Sequence, residues 1–257
     1  MKNSGLANYS PLAQWVCTIF MLLAGVNFSL YFLLIKKKWQ EIFSNTELKT
    51  YLGIIIFSII LVCFAIYPLF DSFEEVLRHA SFQVVSILTT TGFATKDYLL
   101  WPAFSQSILF FLMFIGGSSA STAGGIKVVR WSVLFKQAKN EIRKMLHPHG
   151  VFTIRLNGRA GRKDLVYSVS AFVFLYFILV GITTIIATID GVDLLTSFTA
   201  SLSMVGNIGP GFGLVGPAGN YSFFSNFTKL WFSFAMLAGR LELYTLLIYF
   251  SSSYWKK

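Results

Sequence analysis

Charge is scarce in this 257-residue chain: only 12% of its residues are Asp, Glu, Lys or Arg. A soluble globular domain carries about 25%. An ordinary cytosolic domain is therefore excluded, and so is a disordered tail, whose apolar content would be low. Cysteine is nearly absent. Cys17 and Cys63 both lie inside apolar runs, so they say nothing of a disulfide framework. Histidine is as sparse: His79, His147 and His149, taken with the two cysteines, are too scattered to show metal-ligand spacing. Acidic residues are the minority charge, 11 against 21 basic, for a formal net charge of +10. A basic balance suits nucleic acid, but here the charges cluster between membrane-length gaps, so no nucleic acid partner is expected. What remains is 55% apolar and 17% aromatic, with 27 Phe. That is the composition of an all-α polytopic membrane protein.

A bilayer core needs about 20 apolar residues of helix. Asn3–Ile35 is uncharged, with helix expected from near Leu12. Tyr51–Phe70 and Leu165–Ile189 are clean spans. Tyr98–Ile126 is uncharged but full of small residues, and Leu194–Thr228 is rich in Gly, Asn, Ser and Pro. Leu230–Tyr254 spans again, with Arg240 and Glu242 near its middle. The positive-inside rule places Lys36, Lys37, Lys38 and Lys49 in the cytoplasm. It does the same for the long central connection (Lys127, Arg130, Lys136, Lys139, Arg143, Lys144, Arg155, Arg159, Arg162, Lys163) and for Lys256 and Lys257. Asp71, Glu74, Glu75, Asp97, Asp190 and Asp193 then face outside, where an acidic mouth concentrates cations.

This orientation leaves Phe73–Phe93 between an outward and an inward span. The segment is too apolar for an external loop, carries a helical pattern (Val76, Leu77, Ala80, Val84) and stops at Thr89-Thr90-Thr91-Gly92-Phe93. A short helix that dips in and returns as extended chain satisfies the count. The second half repeats the order: a span, a short helix (Leu194–Met204), the turn Gly206-Asn207-Ile208-Gly209-Pro210, a span. Gly92-Phe93 aligns with Gly209-Pro210 at an offset of 117 residues. Phe111–Gly117 aligns with Phe234–Arg240 at an offset of 123. The organisation expected is a final transmembrane helix of a preceding incomplete unit (1–38) and a complete helix–pore loop–helix unit (39–145). A basic cytoplasmic connection (146–163) and a second complete unit (164–257) follow.

Irregular backbone at membrane depth is tolerated where it lines a polar cavity or is buried in protein. Carbonyl rings replace the hydration shell of an alkali cation, and Gly92 and Gly209 permit the backbone geometry that such turns need. A buried glycine turn without ligand is the competing reading. Gly116-Gly117-Ser118-Ser119-Ala120-Ser121-Thr122-Ala123-Gly124-Gly125 is poor material for a continuous helix. It reads equally as a helix-packing seam or as an unwound loop beneath the turns. Arg240, an ionisable residue at membrane depth, is expected to face the bundle or a wet path and to have a partner. Glu242, two residues on, does not share its helical face.

Two motifs are decoys. Gly211-Phe212-Gly213-Leu214-Val215-Gly216 spells G-x-G-x-x-G, but no βαβ unit surrounds it. Gly117-Ser118-Ser119 suggests a serine nucleophile, but no histidine base is placed within the membrane. No enzyme activity is expected. The basic central connection suits anionic lipid headgroups.

At Leu88–Phe93, Gly116–Arg130, Asn207–Gly213 and Ala238–Leu247 the chain resembles the membrane subunit of the bacterial Trk/Ktr potassium-uptake family, in its Trk branch. The motifs are Thr89-Thr90-Thr91-Gly92-Phe93, Gly124-Gly125-Ile126-Lys127, His147-Pro148, Asn207-Ile208-Gly209-Pro210-Gly211 and Gly239-Arg240-Leu241-Glu242. The resemblance implies a potassium-channel-like transporter fold of four helix–pore loop–helix units in the bacterial inner membrane. It implies a filter built in part by Thr90, Thr91, Gly92, Phe93, Asn207, Ile208, Gly209 and Pro210. Potassium, the substrate, would sit at Thr90, Thr91, Gly92, Asn207, Ile208 and Gly209. It implies that Gly116–Gly125 is the gating loop, with Arg240 beside it. A homodimer and a cytosolic nucleotide-binding regulatory ring are implied partners, with no cofactor held by this chain. Only two filter turns are present, so the chain is expected to be a C-terminal portion. The missing units would come from preceding sequence or from a second copy, and a non-conducting structural or regulatory subunit is the alternative.

Overall fold

The computed structural model describes residues 5–150, 152–157, 159–160, 163–241, 248 and 252–255. Glu242, Arg162, Lys256, Lys257 and the 242–247 part of the last motif lie outside the described residues.

α1 (Pro11–Ala24) starts at Ser10, whose hydroxyl accepts from the Ala13 N–H, with Pro11 at the first helical position, where its missing N–H costs nothing. The uncharged stretch from Leu12 to Ile35 is not one straight helix: the chain bends by 92° before α2 (Phe28–Ile35). Asn27 makes the break, its side chain capping α2 by accepting from the Ser29 N–H at 2.9 Å. A Cβ at Gly25 would run into the Tyr51 side chain, whose hydroxyl donates to the Leu22 carbonyl at 2.9 Å. α3 (Trp39–Ser44) leads into α4 (Thr46–Ile66), capped by Asn45 and carrying Glu47 in its first turn. There a carboxylate favours the helix dipole. α4 buries Tyr51, Ile55, Val62 and Ile66 on one face and exposes Ile56, Phe57, Ile60 and Phe64 on the other. An apolar outer face is what lipid requires.

α5 (Phe73–Leu88), capped by Ser72, spans roughly 24 Å at 1.5 Å per residue, short of the hydrocarbon core. From Val84 to Leu88 it is buried on every side, as a helix inside a bundle must be. α6 (Ala103–Leu112) returns, unwinds over 113–127, and resumes as α7 (Val128–Leu146). A two-stranded hairpin, β1 (Arg155–Leu156) against β2 (Arg159–Ala160), precedes α8 (Lys163–Thr188). The Thr46 N–H donates to the Asn157 side chain at 2.8 Å, so the two basic connections meet on one side of the molecule, as the charge rule requires. α9 (Leu194–Gly206) is the second short buried helix, and α10 (Asn226–Arg240) the return.

The order long helix, short buried helix, turn, return helix thus occurs twice, as α4–α5–α6 and α8–α9–α10. Among the described residues only α4, extended to Leu69, and α8 are individually long and apolar enough to cross a membrane, and the bent α1–α2 pair passes the same test taken together. Strand is confined to the hairpin among the described residues, and the chain is a helical multi-pass membrane protein. The core joins Tyr51, Phe82, Leu88, Tyr98, Leu109, Tyr176 and Ile208 across both units.

Candidate functional site

Both short helices end in one turn geometry. In the first, the Thr90 N–H donates to the Ile87 carbonyl (3.0 Å), and the Thr91 and Gly92 N–H groups donate to the Ser86 carbonyl (2.9 and 3.4 Å). In the second, the Asn207 N–H donates to the Met204 carbonyl (3.1 Å) and the Ile208 N–H to the Ser203 carbonyl (2.9 Å). The Gly209 N–H donates to the Ser203 hydroxyl (2.9 Å). Ser86 and Ser203, Thr90 and Asn207, Gly92 and Gly209 all differ by the same 117 residues. Backbone conformation repeats with them: φ is 53° and 56° at Thr90 and Asn207, and 78° and 106° at Gly92 and Gly209. Left-handed backbone favours glycine, and Asn tolerates it better than other residues. Thr90 is β-branched, so its positive φ is held against its own preference.

The two turns abut. A Cβ on Gly92 would collide with the Ile208 carbonyl oxygen, and the Cβ position of Gly209 faces the Gly92 Cα at 3.8 Å. Among the described residues no hydrogen bond engages the carbonyls of Thr90, Thr91, Gly92, Asn207 or Ile208. Those just outward are held from behind: Phe93 by the Ser86 hydroxyl (2.6 Å), Gly209 by the Tyr221 hydroxyl (2.6 Å) and Gly211 by the buried Tyr98 hydroxyl (2.5 Å). One lone pair of the Gly209 carbonyl is therefore already committed. Outward of the turns opens a vestibule of about 780 Å³, walled by Gly92, Phe93, Gly209, Pro210, Gly216 and Tyr221 among others.

Below the turns, the stretch from Gly116 to Gly125 is an unwound loop and not a helical seam. Its neck closes through Gly116 N–H to the Ile126 carbonyl (2.8 Å) and Val128 N–H to the Gly117 carbonyl (3.1 Å). The small residues have a steric cause. A Cβ at Gly124 would strike the Gly206 carbonyl oxygen at the foot of the second turn. The loop touches the first turn directly: the Gly124 N–H donates to the Thr90 hydroxyl at 2.7 Å. Its outer side leans on the α1–α2 break, with Ser118 N–H on the Gly25 carbonyl (2.9 Å), Thr122 N–H on the Ala24 carbonyl (3.3 Å) and Phe28 N–H on the Ala120 carbonyl (3.1 Å). The Ser119 N–H goes to the buried Glu47 carboxylate at 2.6 Å. Ser121 donates to the Ser118 carbonyl, while Ala123 and Gly125 stay buried beside Ile126.

Arg240 ends α10 and walls, with Ala120, Ser121, Gly124, Lys127 and Arg130, a cavity of about 260 Å³ on the inner side of the loop. Sequence placed Arg240 near this loop, and the two share that cavity.

The outer acids have local tasks. Glu74 accepts from the Trp15 indole (2.9 Å) and from Arg78 (3.0 Å), which hold its carboxyl below the usual range. Asp190 is lowered chiefly by the Ser225 backbone N–H, and Asp193 by its hydrogen bond to Thr196 at the start of α9. Asp97 caps the 3₁₀ turn at Leu99 (3.0 Å). No acid side chain lines the vestibule among the described residues.

Sequence reading missed Ser86, Ser203, Tyr98, Tyr221 and Glu47. The serines carried a signal, since they repeat at the offset that aligned the glycines. The tyrosines and Glu47 carried none, because their partners are backbone groups 12 to 113 residues away.

Comparison with known proteins places these features in a family. The cation transport protein family TrkH matches residues 3–257. The Trk system potassium uptake protein TrkH of Salmonella typhimurium is 34% identical over 255 residues, covering 96% of this chain and 52% of that protein. TrkI of Halomonas elongata is 31% identical over 254 residues, covering 96% and 50%. The crystal structure of the potassium transporter TrkH from Vibrio parahaemolyticus superposes with a TM-score of 0.87 at 30% identity, over 96% of this chain and 54% of that one. The chain spans about half the length of the curated relatives it matches.

Proposed function

Because the chain belongs to the TrkH family of cation transport proteins, we propose that it forms part of a potassium-uptake pathway in a bacterial inner membrane, supplying two of its filter segments and its gate. It belongs among transporters, not enzymes. The observation that carries the reading is the pair of abutting turns with the same 117-residue offset and the same left-handed backbone. Potassium is the substrate. The carbonyls of Thr90, Thr91, Gly92, Asn207 and Ile208, unengaged among the described residues, replace part of its hydration shell, and Gly209 contributes conformation and its remaining lone pair. Phe93 and Pro210 form the outer lip. Ser86, Ser203 and Tyr221 hold the turns from behind, so the oxygens do not have to reorganise when an ion arrives.

Gly116–Gly125 is the gate. It lies against the inner side of the first turn through Thr90, and Arg240 stands across the cavity beneath it, where a cation opposes an outgoing or incoming cation. Two turns are not a complete ring. The remaining segments come from the preceding part of a longer polypeptide or from a second copy, in an assembly that is a homodimer regulated by a cytosolic nucleotide-binding ring. The cytoplasmic face carries a groove of about 520 Å³ bordered by Lys136, Lys139, Arg143 and Arg155, a setting suited to anionic lipid headgroups.

The test is Gly92→Asp in the intact assembly. Rubidium uptake is expected to vanish while membrane insertion is retained. Undiminished uptake would refute the filter assignment.

A further inference from the structure

Among the described residues the N–H groups of the loop from Gly116 to Gly125 that are hydrogen-bonded go to backbone carbonyls with two exceptions, while the Lys127 ammonium donates to the Ala123 carbonyl. Thr90 contributes a neutral hydroxyl, and Glu47 contributes the one side-chain carboxylate that receives a loop N–H among the described residues. Glu47 sits 72 residues before Ser119, in the first turn of α4, and is only 8% exposed. One of its oxygens accepts the Ser119 N–H at 2.6 Å, and the other accepts the Asn27 side-chain amide at 3.4 Å. Asn27 is the residue that caps α2 and makes the 92° break on which the loop leans. One buried carboxylate therefore joins three pieces: the loop, the break and the long helix of the next unit. A hydrogen bond to an ionised acceptor is roughly twice as strong as a neutral one, and the Glu47 side of this one is largely shielded from water.

We propose that Glu47 is the latch of the closed loop, a positioning residue that keeps Gly116–Gly125 under the turns. Opening the pathway requires the Ser119 N–H to leave the carboxylate. The proposal rests on the loop being the gate, and the experiment separates the two. In the intact assembly, with Cys17 and Cys63 replaced by Ser, Ser118→Cys serves as reporter. Ser118 is 1% exposed, and its hydroxyl has no hydrogen-bond partner among the described residues, so the exchange removes no bond. Thiol modification from the cytoplasmic side reads loop release, and rubidium leak reads the gate.

Glu47→Ala removes the acceptor. Glu47→Asp keeps the charge but is one methylene too short to reach. Glu47→Gln keeps both reach and an acceptor oxygen. Modification is expected to rise roughly ten- to a hundredfold in Glu47→Ala and Glu47→Asp, with Glu47→Gln, which keeps the bond but not the charge, between the parent and Glu47→Ala. Glu41→Ala, at an exposed residue paired with Lys38, should change nothing. A parental rate in Glu47→Asp, or a rate in Glu47→Gln equal to that of Glu47→Ala, overturns the latch. Should Glu47→Ala fail to fold, the Asp–Gln pair still decides. Labelling that rises as expected with no change in rubidium leak sustains the latch and instead refutes the gate reading on which its function depends.

Discussion

Alanine at each of the two turn glycines separates backbone strain from collision. At Gly209 a Cβ meets only the Gly92 Cα, at 3.8 Å, an ordinary contact. The penalty is conformational alone, a non-glycine residue at φ 106°, about 1–3 kcal/mol. Applied wholly against the native turn conformation, that reduces its population by about 5- to 150-fold. At Gly92 the conformational penalty recurs at φ 78°. In addition the new Cβ enters the Ile208 carbonyl and comes within 3.0 Å of the Pro210 ring. Neither neighbour is the far end of a flexible side chain, so the two turns must separate and both sets of oxygens move. Rubidium uptake by potassium-starved cells carrying the intact assembly, paired with thermal unfolding of the purified protein, reads both effects. Gly209→Ala should retain measurable uptake, and Gly92→Ala should lose it and melt lower. Equal losses, or a worse Gly209→Ala, would refute the abutting-turn geometry.

Tyr98→Phe removes the hydroxyl that serves the Gly211 carbonyl at 2.5 Å while keeping its ring 5.3 Å from Phe212. It should cost about 1–3 kcal/mol, read as a lower unfolding midpoint. Ser203→Ala leaves the Gly209 N–H without its acceptor and should lower rubidium-over-sodium selectivity more than it lowers stability, as measured by competition uptake. Asp193 caps α9 with a lowered carboxyl pKa, so its contribution is fully present above the ordinary range near ~3.9. It is lost as pH falls through the lowered folded value. The midpoint difference between the parent and Asp193→Ala should therefore be constant at neutral pH and shrink in acid. Asn157→Ala cuts the side-chain link from the hairpin to Thr46 and should speed proteolysis of the central connection without altering uptake.

Much of the architecture was legible because it follows from bilayer physics. Uncharged lengths, the basic side and the impossible count around Phe73–Phe93 force two re-entrant segments, and α5 and α9 are both there. The glycines of the turns were legible because a special backbone conformation selects them, and the repeat then vouches for the pair. The 92° break at Gly25–Asn27 was not. Asn27 is one polar residue in an apolar run, and only its capping bond to Ser29 and the approach of Tyr51 reveal why the helix stops. The unwinding of Gly116–Gly125 remained balanced against a packing seam in sequence, since small residues serve close backbone approach in either case. Its resolution lies in contacts from Gly25, Glu47 and Thr90, which sequence spacing does not connect. The buried Arg78, bound to Gln14 and Glu74, was likewise hidden, because its neighbour α1 is more than 50 residues away.

On the proposed reading, in which the turns and the loop are two barriers along one pathway, the bond from Gly124 to the Thr90 hydroxyl means that they are not independent resistors in series. Thr90 belongs to both. Any occupancy that draws its hydroxyl or shifts its backbone changes the affinity of the loop for its seat. By reciprocity, seating the loop changes ion affinity at that turn by the same factor. External cation concentration would then be felt by the inner barrier without a ligand crossing the membrane, and the pathway would report its own loading to the element that closes it.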